Sequence, residues 1–143
     1  MLSNSSKYAI KAVLFLAVNS NENKKVMIKD ISKPINVPQA YIAKLLQELS
    51  KQKIISSTRG PNGGFYLSDN NRKQSIMSII DVIDGEEKLS FCMLSLKECD
   101  NEKPCPLHKI AYTYRSELLN RLNEKTIEDL AIEIKSGETF LPL

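Results

Sequence analysis

The first apolar concentration lies in residues 5–19, SSKYAIKAVLFLAVN, where hydrophobic side chains fall almost all round a helical projection. With a serine cap at Ser5 or Ser6, this pattern predicts a buried helix ending at Asn19. The next stretch, VMIKDISKP, predicts a short helix cut off by Pro34, because proline cannot continue the hydrogen-bond ladder. A second helix is predicted from Pro38 to about Lys51, in which Ile42, Leu45, Leu46 and Leu49 recur at i, i+3, i+4 and i+7 as one buried stripe. Ala40, Ala43, Lys44 and Gln47 then fall on the opposite side. Asn36 sits in the turn between the two helices, where a left-handed residue is wanted. In KIISSTRGPNGGFYLSD, the runs Ile54–Arg59 and Phe65–Ser68 are strand-like and GPNGG is turn chemistry, so a β-hairpin follows the second helix directly. Two helices, a tight turn and a hairpin make the layout of a winged helix-turn-helix. Beyond it, SIMSIIDVIDG predicts a helix capped by Ser75 and stopped by Gly85. Leu107, Ile110, Ala111, Tyr114, Leu118 and Leu122 mark one face of a long helix that needs a partner. TIEDLAIEIK predicts a last amphipathic helix, with Thr126 and Asp129 at capping-box spacing. The expected fold is mainly α with a small hairpin wing.

Composition changes this picture in two respects. The formal charge of +3 is unevenly spread: residues 1–75 hold 12 Lys/Arg against 4 Asp/Glu, a balance of +8, and residues 76–143 hold 8 against 13, a balance of −5. A basic first part and an acidic remainder suggest a polyanion-binding unit, 1–75, joined to a unit of another purpose, 76–143. The longest apolar run, Ala12–Val18, is far too short to cross a bilayer, and the start lacks a cleavage site of the secretory kind, so a cytoplasmic protein is expected. Three cysteines are an odd number, which fits thiols or metal ligands better than a disulfide framework.

The outer face of the second helix carries the candidate DNA contacts. Ala40 and Ala43 are small enough for close approach to bases in a major groove, and Gln39, Tyr41 and Lys44 can hydrogen-bond base edges or phosphates. Arg59, at the base of the glycine-rich tip, suits a narrow minor groove. Taken singly, Gln39 and Lys44 read equally well as solvated surface. GPNGG is no phosphate loop, since no Lys-Ser/Thr follows and it does not open a helix.

All three cysteines and the only histidine fall within FCMLSLKECDNEKPCPLH, spaced Cys92-x₆-Cys99-x₅-Cys105-x₂-His108. The residues between them are loop-forming, so the thiolates could wrap a soft metal or cluster and His108 could complete the set. Three readings stand: an iron–sulfur cluster, a Cys₃His zinc, or free thiols or a redox disulfide without metal. Zinc fingers of this composition bind single-stranded RNA by stacking bases on aromatic residues, and none lies between Cys92 and His108. Cys105 with His108 is the one candidate nucleophile–base pair, but no oxyanion loop or orienting third group accompanies it, so no enzyme is expected.

The segments SSKYAIKAVLFLA, DISKPINVPQAYIAKLLQELSKQKIISSTRGPNGGFYLS and the cysteine stretch together resemble the Rrf-type winged helix-turn-helix transcriptional regulators. The most specific parts are Tyr41 with LLQEL and the run SSTRGPNGGFYL. The resemblance implies a homodimer paired through the long helix, bound to a palindromic double-stranded DNA operator. It places Gln39, Ala40, Tyr41 and Ala43 on the recognition helix and Arg59 on the wing. It also implies an iron–sulfur cluster on the three cysteines. The Cys-x-x-His pair is similar to that of the family's iron–sulfur regulator, in which three cysteines and a histidine hold a [2Fe–2S] cluster, so Cys92, Cys99, Cys105 and His108 are the implied ligands. Asn36 and Pro38 replace a glycine and a serine usual in the family, and Ala43 stands where the iron–sulfur regulator has a base-reading acid, so no operator sequence carries over.

Overall fold

The computed structural model of the chain describes residues 2–90, 92–94 and 100–143. Helix α1 spans Asn4–Asn19, and its cap is Ser3 rather than Ser5 or Ser6: the Ser3 hydroxyl accepts from the Ser6 N–H at 3.0 Å. Ala9, Ala12, Val13, Leu16 and Ala17 are all fully buried. Their small side chains let helices approach from several directions, and α1 is the post against which the molecule is built.

Helix α2 covers Ile28–Ile35 and runs one residue past Pro34. The expected stop at Pro34 fails because proline so near the end removes a single ladder bond. Asn36 ends the helix instead: it is left-handed, at φ 60° and ψ 51°, and donates to the Ser32 and Lys33 carbonyls. Helix α3 is Gln39–Lys51, with Pro38 just outside it at the cap position, accepting from the Tyr41 and Ile42 N–H groups. Its stripe of Ile42, Leu45, Leu46 and Leu49 is buried as predicted.

The wing is β1 (Ser56–Thr58) antiparallel to β2 (Gly64–Tyr66), in register Ser56↔Tyr66, Ser57↔Phe65 and Thr58↔Gly64. The strands are shorter than the strand-like runs Ile54–Arg59 and Phe65–Ser68, with Ile54, Ile55 and Leu67 turned into the core. Val26 adds a bridge on the far side of β2, exchanging two 2.8 Å hydrogen bonds with Phe65. That close approach requires Gly64, at φ +150°: a Cβ there would lie 2.7 Å from the Val26 carbonyl oxygen.

Helix α4 (Asp69–Arg72) is a single turn built on a Ser68–Asn71 capping box. Helix α5 (Ile76–Asp84) begins after Ser75 and ends at Gly85, both as predicted. Helix α6 is His108–Glu124, and α7 is Ile127–Ser136 with both capping-box bonds between Thr126 and Asp129 formed at 3.0 Å. One core cluster takes in residues from both sides of residue 75, including Ile31, Leu46 and Ile55 on one side and Ile79, Ile127 and Ala131 on the other. Arg72 ties these parts by donating to the Ala17 and Ser20 carbonyls and to the Glu128 carboxylate, at 2.8–3.0 Å. A smaller cluster joins Met77 and Ile80 of α5 to Leu89, with Leu2, Ile10, Leu119 and Leu122 packed around them. Among the described residues no helix is long and apolar enough to cross a membrane.

Candidate nucleic-acid interface and cysteine segment

With Ile42, Leu45, Leu46 and Leu49 facing the core, the pitch of α3 turns Gln39, Ala40, Tyr41 and Lys44 to the surface and leaves Ala43 half-buried. Arg59 is exposed where the hairpin begins its turn. Tyr41 is less available than the others. Its hydroxyl is 2.8 Å from the Ser5 Oγ, and its ring meets Tyr8 edge-on, with centroids 5.9 Å apart and planes at 88°. Lys11 lies over the other ring of this pair, its Nζ 5.8 Å from the Tyr8 centroid. Lys25 similarly covers Tyr66 on the wing, at 5.4 Å. Sequence reasoning missed this contribution of α1, because SSKYAIK reads as the start of a buried helix. The available signal was the polar and basic residues Ser5, Lys7 and Lys11 interrupting an otherwise apolar helix.

In the cysteine segment, Cys92 is buried and its Sγ lies 3.3 Å from that of Cys105. A disulfide would put them at about 2.05 Å. Two thiolates bound to one tetrahedral metal at about 2.3 Å would sit roughly 3.8 Å apart, so the observed separation falls between the two arrangements. Two thiols side by side are, by their donor chemistry, a pair that a thiophilic metal or cluster would take. Cys99 lies outside the described residues. His108 opens α6, its N–H bonded to the Cys105 carbonyl at 3.0 Å, and its ring stacks on Tyr112 with centroids 5.1 Å apart. Among the described residues no three Cys, His, Asp or Glu side chains converge, so Cys92 and Cys105 are brought together without His108. Beside them is an open, mainly apolar cavity of about 670 Å³, lined by Leu89, Cys92, Met93, Ala111, Tyr114 and Leu118 among others. The root of the cysteine segment thus lies directly against α6.

Two short helices with a left-handed turn, followed by a hairpin wing, form the architecture of DNA-binding transcriptional regulators. The Rrf2 family, described as an iron-dependent transcriptional regulator, matches residues 2–133, and the chain belongs to that family. A helix-turn-helix-type regulator of Aquifex aeolicus (strain VF5) is 30% identical over 142 residues, covering 98% of this chain and 96% of that protein. The transcriptional regulator IscR of Pectobacterium atrosepticum is 26% identical over 129 residues, covering 90% of this chain and 77% of its own. Among solved structures, CymR, the global cysteine regulator of B. subtilis, superposes with a TM-score of 0.75 at 23% identity, over 92% of this chain and 96% of that one. IscR of T. potens superposes with a TM-score of 0.71 at 19% identity, over 97% and 91%. At these identities the structural likeness speaks for the fold.

Proposed function

We propose that two copies of this chain bind a palindromic double-stranded operator, and that a cluster held by Cys92, Cys99, Cys105 and His108 sets how tightly they do so. The observation that carries the DNA reading is the division of α3: its inner stripe is buried, while Gln39, Ala40, Tyr41 and Lys44 face outward beside a wing bearing Arg59. In this reading Gln39, Ala40 and Ala43 approach base edges, Tyr41 and Lys44 fix the register on phosphates, and Arg59 enters the minor groove. Residues 1–75 are the DNA-binding unit, and 76–143 sense and dimerise. Dimerisation is supported by α6, none of whose residues is buried and whose Ile110 and Tyr114 are 63% and 76% exposed. A two-fold dimer matches a two-fold site.

The Cys92–Cys105 pair supports thiolate ligation. When bound, an iron–sulfur cluster, [2Fe–2S] in this reading, supplies a centre that responds to oxidants, nitric oxide or iron supply. The chain's own part is mechanical. Cys92 shares a cavity wall with Leu89, which packs on α5, and His108 is the first residue of α6. Ligation by both would therefore fix α6 relative to the winged helix. Such fixing alters operator affinity only by the difference in free energy it makes between the DNA-bound and free arrangements.

The test uses protein purified without oxygen, with absorption, iron, sulfide and zinc measured on one sample and operator affinity on the same sample. Visible absorption with iron matching sulfide, and operator affinity changed in Cys92→Ala, Cys99→Ala and Cys105→Ala, is the expected result. Stoichiometric zinc, or metal-free protein that resists reconstitution, would replace the cluster by a structural metal or by a metal-free regulator answering another signal. Arg59→Ala and Lys44→Ala should each weaken operator binding, by about 1–3 kcal/mol for a base contact and less, uniformly across sequences, for a phosphate contact. Unchanged binding in both would sink the DNA assignment.

A further inference from the structure

Asp84 is the last residue of α5 and stands immediately before Gly85, where the chain leaves for the cysteine segment. Both oxygens of its carboxylate are hydrogen-bonded by the start of α1. The Ser3 hydroxyl donates to one oxygen, and the Ser3 N–H, at 3.3 Å, and the Ser6 hydroxyl, at 2.7 Å, donate to the other. Ser6 is fully buried, and Ser3 is itself the α1 cap. A carboxylate placed against the first N–H groups of a helix also meets the positive end of its dipole. The same turn of α1 carries Ser5, whose hydroxyl meets Tyr41 of the recognition helix, and Tyr8 one turn later takes the edge of the Tyr41 ring. Leu2, just ahead of the cap, packs into the cluster that holds Leu89 at the root of the cysteine segment.

We infer that Asp84 is a positioning residue for the recognition helix: it fixes the first turn of α1 through Ser3 and Ser6, and that turn fixes Tyr41 through Ser5 and Tyr8. Tyr41 then acts less as a free DNA contact than as the strut that sets where α3 stands. The inference deepens the proposed DNA-binding role and rests on it for its effect on affinity, though not for the link itself. The first turn of α1 touches both the exit of α5 toward the cysteines and the helix presented to DNA. Movement at the α5 exit therefore reaches α3 through this turn.

The link is read in the DNA-free full chain labelled with 3-fluorotyrosine, the Tyr41 ¹⁹F resonance being assigned by its loss in Tyr41→Phe. Asp84→Asn keeps the size of the side chain and one acceptor oxygen. It should move the Tyr41 resonance, and so should Ser5→Ala, which removes only the solvent-side link and leaves the buried cap intact. Operator affinity should fall several-fold in Asp84→Asn and in Tyr41→Phe, with the double variant losing no more than the worse single one. An unmoved Tyr41 resonance in both Asp84→Asn and Ser5→Ala overturns the inference, as do fully additive affinity losses. Failure of the DNA reading shows differently: Lys44→Ala and Arg59→Ala would leave binding unchanged while the fluorine shift persisted.

Discussion

Gly64 shows how one missing side chain shapes the wing. Its place in a turn-rich run was legible in the sequence, but its reason was not, since Val26 and Phe65 meet only in the fold, with α2 and α3 between them in the chain. Gly64→Ala would drive a Cβ into the Val26 carbonyl at a backbone conformation that L residues avoid. We expect a loss of about 2–3 kcal/mol, from strain and the broken bridge, visible as a lowered thermal midpoint with the Val26 and Phe65 amides exchanging faster. Two aspartates on α5 make an opposite pair. Burial and nearby Glu86 raise the Asp81 carboxyl above its ordinary 3.8, and one of its buried oxygens has no hydrogen-bond partner among the described residues. For Asp84, burial also works against ionisation, but the hydrogen bonds from Ser3 and Ser6, with Lys88 nearby, outweigh it and hold the carboxyl below 3.8. A depressed carboxyl stabilises the fold above 3.8, and that contribution is lost as pH falls through the lower folded value. A raised one costs stability above its folded value, and the cost vanishes as pH falls toward 3.8. Asp84→Asn should therefore be destabilised at pH 7 with the deficit closing in acid, and Asp81→Asn stabilised at pH 7 with the gain closing in acid. Denaturant titrations from about pH 7 down to about pH 2 read both signs, since the Asp84 contribution is lost only below 3.8.

Elements with strong periodicity or a clear cap were legible in the sequence: α3 from its leucine stripe, α5 from Ser75 and Gly85, and α7 from Thr126 and Asp129. Those that failed did so for local reasons. The four-residue α4 has no room for a period, and only the Ser68–Asn71 spacing signalled it. The α2 stop was misplaced because Asn36, not Pro34, supplies the left-handed residue. The strand ends were overrun because Ile54, Ile55 and Leu67 are apolar for the core, not for a ladder. The α7 cap permits a clean test of this scale. Thr126→Ala removes the side-chain bond to the Asp129 N–H while leaving Ile127 in the core, and should lower stability by about 1 kcal/mol in urea titration, with little change in DNA binding.

At the scale of the whole molecule the sequence shows cysteines gathered within a few residues of one another, yet it cannot show which of them meet, because that depends on how α5 and α6 are set. The structure brings Cys92 to Cys105 at the foot of α6. The same helix carries the argument for a second copy. In a single chain α6 packs only partly on α5, and Ile110, Tyr112 and Tyr114 remain exposed, with an open cavity along Ala111, Tyr114 and Leu118. Leaving so much apolar surface in water forgoes about 25 cal/mol for each Å² that a partner could cover. In the proposed dimer the same face of a second copy would be the cover, with Ile110 and Tyr114 of each chain meeting across a two-fold axis. Ile110→Glu combined with Tyr114→Glu places charge on that face without replacing any buried residue. We expect the variant to run as a folded monomer by sedimentation with unchanged far-ultraviolet circular dichroism, and to bind a two-fold operator at least about tenfold more weakly, because each half-site must then be held separately. A variant that stays dimeric would move the interface elsewhere on the chain, and one that is monomeric yet binds the full operator as tightly as wild type would separate DNA recognition from two-fold pairing.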